Sequence, residues 1–196
     1  MTAESVQTYK GFWGGWTLAS AAGFALGGML SLPIAYGIGE IVMEAVNETI
    51  GFAVAGALFG IFAGGGLGAG QQLVLQLKTG WGGMWALASA AAAMIVWAIA
   101  FPLFITIGEP ASSPAGAVIA IVFGLALGIG QWLVLRNHLP GAGRWILITT
   151  ASLALAIGLA LTLDGEGREL LSLGIAGLLA GALTGLGMAW LLRDSA

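Results

Sequence analysis

Gln71 and Gln131 are the polar side chains of this sequence with most to do, because each lies inside a long uncharged run. An amide in such a run has two uses. It can hydrogen-bond a neighbouring helix, or it can line a path for a small solute. Each glutamine precedes a basic residue, Lys78 or Arg136, so it sits roughly 8–10 Å inside the end of its run at 1.5 Å per residue. Ser89 and Thr149 lie equally far beyond the turns at Gly80 and Pro140. Side-chain hydrogen bonds Gln71–Ser89 and Gln131–Thr149 are therefore expected, as an interhelical polar clamp. The third equivalent position holds Met188, which cannot donate, so the contact between the last run and the first should lack that clamp.

Other chemistry is thinner. Glu40, Glu109 and Glu166 each follow a glycine, and three such carboxylates would form an outer acidic ring able to attract cations. As solvated loop ends they need no role at all. His138 is the single histidine, in a loop with Asn137 and Pro140, and cannot supply paired axial ligands. The chain has no cysteine, so disulfides and thiolate metal sites are excluded. None of the uncharged runs offers a base, acid or ligand set for intramembrane proteolysis, or an ionisable group for coupled transport. The net charge of −3 gives no footprint for nucleic acid. No cofactor, metal or catalytic residue is expected, and the chain reads as a non-enzyme.

The elements that hold these residues follow from hydropathy. Apolar residues make up 59% of the chain and charged residues 8%, against about a half and a quarter in soluble domains. Uncharged runs cover 11–39, 49–77, 79–108, 110–135, 145–163 and 170–192. Each is long enough for a helix to cross a hydrocarbon layer, which takes about 17–25 residues; the fifth is the shortest. With six crossings, Lys10, Lys78, Arg136, Arg144 and Arg193 share the side of both termini, and only Arg168 lies opposite. By the positive-inside rule both termini are cytoplasmic. The polar first ten residues carry no signal-peptide pattern, so the first span is expected to be retained.

The chain also repeats itself. Trp16-Thr-Leu-Ala-Ser20 matches Trp85-Ala-Leu-Ala-Ser89, with Trp145-Ile-Leu-Ile-Thr149 a looser copy. A Gly-x-x-x-Gly-x-Gly motif closes each second run: Gly64, Gly68 and Gly70; Gly124, Gly128 and Gly130; Gly181, Gly185 and Gly187. Glycines at this spacing let helix backbones approach closely in lipid. The units run about 11–78, 79–137 and 138–196. The first is longer, and its extra residues map to about 40–48, an amphipathic segment that lies at the outer surface or extends span one. Trp13, Trp16, Trp81, Trp85, Trp145 and Trp190 all fall near the cytoplasmic boundary and read as an aromatic belt.

The strings Gly128-Ile-Gly-Gln-Trp-Leu-Val-Leu-Arg136 and Trp85-Ala-Leu-Ala-Ser89 resemble repeated segments of small, functionally uncharacterised polytopic membrane proteins of bacteria such as cyanobacteria and Chloroflexota. The resemblance covers nearly the whole chain through its repeats and departs most at Met188-Ala189-Trp190. It implies an architecture and no activity.

The expectation is an all-α membrane protein forming one domain over 1–196. Six transmembrane helices form three two-helix hairpins, able to close around a pseudo-threefold axis, with both termini inside. It would sit in a bacterial inner membrane as a structural or accessory subunit. Its partners would be membrane lipids, a membrane-protein complex or further copies of itself, with lipid or pigment as possible ligands. The alternative is a passive channel or facilitator for a small solute or cation, lined by Gln71 and Gln131.

Overall fold

The computed structural model describes residues 3–107, 114–163 and 169–195. Their regular structure is helical: α1 (Ala3–Ala45), α2 (Glu48–Thr79), α3 (Trp85–Ile107), α4 (Pro114–Leu135), α5 (Arg144–Leu163) and α6 (Glu169–Asp194). Helices are what a lipid solvent permits, since each satisfies its own backbone groups. Local residues mark their ends. Asn47 caps α2, its side chain accepting from the Ile50 amide at 2.9 Å. Gly80 ends the same helix at φ 79°, its N–H reaching the Gln76 carbonyl, a left-handed stop that glycine adopts without a Cβ clash. Gly141 does similar service before α5 at φ 70°.

Five of these helices are long and apolar enough to cross a membrane; α5 contributes a shorter apolar stretch, Arg144–Ala160. Their outer faces carry large apolar side chains in the open, among them Leu77 at 73% and Leu147 at 73% exposure. So much exposed hydrocarbon is what a lipid-facing surface needs and a water-facing one avoids.

Each helix packs on its neighbours in chain order, and α6 returns to α1, so the contacts close into a ring. Two devices hold it. First, the paired motif glycines face the next helix in the ring. Gly64 and Gly68 lie against Ser89 on α3, Gly124 and Gly128 against Thr150 and Ile146 on α5, and Gly181 and Gly185 against Ser20 and Trp16 on α1. Second, the last motif glycine faces the helix before it. Gly70 meets the Ala19 carbonyl, Gly130 the Ala88 carbonyl and Gly187 the Ile148 side chain. One motif thus serves both sides of α2, α4 and α6.

The α1–α2 pair is close along its whole length. Gly23 and Gly66 abut backbone to backbone, and Gly27 meets Phe62 and Ala63. The amphipathic segment expected near 40–48 proves to be the extension of the first span: α1 runs unbroken to Ala45, and α2 begins at Glu48. Met43 packs against Gly51 and Gly39 against Ala55, so α1 and α2 stay in contact up to the turn that joins them. At 43 and 32 residues, both helices exceed the roughly 20 needed to span.

A side chain at position 66 would collide with α1 backbone that cannot rotate away. Gly66→Val should therefore destabilise the folded protein, on the order of 1–3 kcal/mol or more. At Gly158 nothing lies within 4 Å of a new Cβ, so Gly158→Ala should be neutral or slightly stabilising. Thermal unfolding in detergent followed by circular dichroism compares them; equal losses would contradict this packing.

Candidate functional site

The polar side chains singled out by the sequence meet at one end of the bundle, around three tryptophans. Trp16, Trp85 and Trp145 come from α1, α3 and α5, and all three are 0% exposed. Their ring centroids lie 6.0, 6.1 and 5.7 Å apart, close enough for edge-to-face contact. The three indoles fill the space between the helices at this level, with Phe12, Leu75, Leu135 and Met188 packed around them. This corrects the reading of an aromatic belt. Trp13 and Trp190, each 38% exposed, are open to the surroundings, whereas Trp16, Trp85 and Trp145 point inward.

A buried indole N–H must find an acceptor. Trp85 Nε1 donates to Gln71 Oε1 at 2.9 Å, and Trp145 Nε1 donates to Gln131 Oε1 at 2.9 Å. Both amides then reach further. Gln71 Nε2 donates to Ser20 Oγ at 3.2 Å. Gln131 Nε2 donates to Ser89 Oγ at 2.9 Å and to Gln71 Oε1 at 3.1 Å. Ser89 Oγ passes its own proton to the Trp85 carbonyl at 2.8 Å. One connected network therefore ties α1, α2, α3, α4 and α5 at a single level.

The expected pairs are redistributed. Gln71 bonds Ser20 rather than Ser89, and it is Gln131 that takes Ser89. The reason is that the tryptophan on the following helix occupies the amide oxygen, which turns the NH₂ group back toward the preceding helix. Thr149 is left over: its Oγ1, on a residue 1% exposed, is the buried side-chain polar atom without a partner among the described residues. Its place in the pattern would be served from position 188, where methionine offers no donor.

The α6–α1 contact was expected to lack a clamp, and it has a substitute. Trp16 Nε1 donates to Thr184 Oγ1 at 3.0 Å, one helical turn before Met188, and Thr184 Oγ1 donates on to the Ala180 carbonyl at 2.6 Å. Trp13 Nε1 adds a bond to the Ala182 carbonyl at 2.9 Å.

Above the tryptophans the axis stays filled. Leu67, Phe123, Leu153 and Ala180 form the next cluster. The cavity among Phe24, Leu67, Phe123, Leu153, Ile157, Ala176, Gly177 and Ala180 measures about 10 Å³, at the bottom of what a single water needs, and its walls are apolar. Gln71 and Gln131 are 2% and 1% exposed, buried among their bonding partners. Of the outer acidic residues, Glu40 is exposed on α1; Glu109 and Glu166 lie outside the described residues.

The loops at this end share one face. Trp81 of the α2–α3 turn stacks on His138 of the α4–α5 turn at 4.7 Å and 7°. Arg144 pairs with Asp194 at 2.7 Å and lies 5.1 Å from the Trp190 ring. No protein-family model, curated protein or solved structure matches the chain.

The missed residues are the three inward tryptophans and Thr184. A signal existed: each glutamine precedes its tryptophan by 14 residues, and Ser or Thr follows each tryptophan four residues on.

Gln131→Leu should cost on the order of 1–3 kcal/mol, because it leaves the Trp145 indole without an acceptor. Met188→Gln should act in the opposite sense, supplying the donor that Thr149 lacks and raising the unfolding free energy by up to ~2 kcal/mol. Chemical denaturation of both variants in one detergent would measure this. A loss of stability with glutamine at 188 would show that the vacancy is not a missing donor.

Proposed function

We propose that the chain is a non-enzymatic integral membrane protein serving as a structural or accessory subunit of a bacterial inner-membrane assembly. In this reading all six helices span the bilayer as three related hairpins around a pseudo-threefold axis, with both termini cytoplasmic. The 20 residues of α5 reach ~30 Å at 1.5 Å per residue, the thickness of the hydrocarbon layer. The placement of basic residues supports the orientation, and the resemblance to bacterial polytopic proteins supports the compartment.

The observation that carries the functional reading is the tryptophan-sealed, hydrogen-bonded axis. A pathway needs polar groups free to exchange partners with a passing solute. Here the amides of Gln71 and Gln131 are committed between helices, and three indoles occupy the centre. Such a bundle resists deformation and offers its outer surface to neighbours. The channel alternative has no observation in its favour beyond the polarity of the two glutamines.

Extraction of the native membrane in mild detergent, followed by mass spectrometry and an absorption spectrum, should find the chain with a stoichiometric protein partner or a bound pigment. A lone, colourless monomer in every preparation would overturn the accessory role. Liposomes containing the protein should leak small solutes and cations no faster than empty ones. Flux that falls in the Gln71→Leu/Gln131→Leu double variant would restore the channel reading.

A further inference from the structure

The outer wall of the bundle is uneven between α3 and α4. The two helices touch through Ala88, Ala92, Ala126 and Gly130, and these short residues leave an open apolar groove of about 590 Å³. Leu87 and Ile95 form one bank and Ile129 and Leu133 the other. Along α3 the groove runs from Met84 to Ile95, which is ~16 Å at 1.5 Å per residue. That is about half of a ~30 Å hydrocarbon core, the depth of one leaflet.

A cation stands just past the groove: Arg136 comes one helical turn after Leu133, outside the apolar lining. Ile129, Leu133 and Arg136 follow one another at the four- and three-residue steps of a helix face, and the Arg136 amide still bonds the Trp132 carbonyl at 2.9 Å. Arg136 is exposed, and its guanidinium lies 5.5 Å from the Trp132 ring centroid. The ion pair among the described residues is Arg144–Asp194, so no described carboxylate neutralises Arg136. The stacked Trp81 and His138 flank the same end. A second apolar groove, between α5 and α6 along Ala154, Leu155 and Leu159, holds about 450 Å³, and no basic residue follows within one turn of its lining.

We propose that the α3–α4 groove is a binding site for one acyl chain of an anionic phospholipid, whose phosphate pairs with Arg136. Length, apolar lining and a terminal unpaired cation match the three parts of that ligand in order. Arg136 holds the phosphate at the interface, and the Ala–Gly floor admits the chain where longer side chains would exclude it. The proposal rests on the bilayer placement of these helices and not on the accessory role.

The test uses full-length protein in vesicles of phosphatidylcholine with a minor share of phosphatidylglycerol. The protein is extracted in mild detergent, and retained lipid is counted by native mass spectrometry. Wild type should retain phosphatidylglycerol enriched about fivefold over its bulk share, equivalent to ~1 kcal/mol for one basic side chain at an anionic headgroup. Arg136→Gln, an exposed change, should lose the enrichment while the fold is kept. Ala91→Phe should block the groove and lower total retained lipid, whereas Ala154→Phe in the other groove should leave the phosphatidylglycerol enrichment unchanged. Retention at the bulk ratio, or enrichment unaltered by Arg136→Gln, would overturn the site. So would a protein dimer or pigment whose binding is lost with Ala91→Phe. Failure of the site leaves partner copurification untouched, so the two proposals fail separately.

Discussion

An indole N–H buried in a lipid-embedded bundle must be met by an acceptor on another helix, and most of this architecture answers that requirement. Lipid tails are as apolar as leucine side chains, so the hydrophobic effect does little to draw one spanning helix to another. Specific pairing must come from hydrogen bonds and close contact. Trp85 and Trp145 find acceptors in Gln71 and Gln131, and Trp16 finds Thr184. Each bond joins a tryptophan helix to the helix before it in the ring, and the glutamine amides on Ser20 and Ser89 add the α1–α2 and α3–α4 junctions.

Glycine makes those bonds geometrically possible. An amide reaches an indole at 2.9 Å only if the helix backbones stand close, and the motif glycines remove the Cβ atoms that would hold them apart. At Gly68 the neighbours of a hypothetical Cβ are the side chain of Ser89 and the backbone of Ala86, beside the very residues that carry the network. Packing and hydrogen bonding are thus one device. Small residues supply proximity and polar residues supply register.

The pairing of a glutamine amide with a serine hydroxyl has no counterpart at α6, and the gap has a physical signature. Ser20 and Ser89 each receive a glutamine amide, whereas Thr149 receives none because Met188 stands where the amide would be. Thr184 recovers the tryptophan bond and leaves the threonine unserved. The α6–α1 junction is held instead by Trp16 on Thr184 and by Trp13 on the Ala182 carbonyl.

Composition and spacing by themselves determined the class, the helical segments, the turns at Gly80 and Pro140, and the glycine motifs that let helices approach. They also marked Gln71 and Gln131 as interhelical bonding groups, since a buried amide in lipid has few other uses. Tertiary structure alone decided which partner each amide takes, which tryptophans face the axis, that α6 closes on α1 and that residues 40–45 continue α1. The reason lies in the solvent. In water a helix shows its inner face by being apolar on one side and polar on the other. In lipid both faces are apolar, so Trp13 and Trp16 look alike as letters, and only the packed bundle separates the indole that meets its surroundings from the one that seals the core.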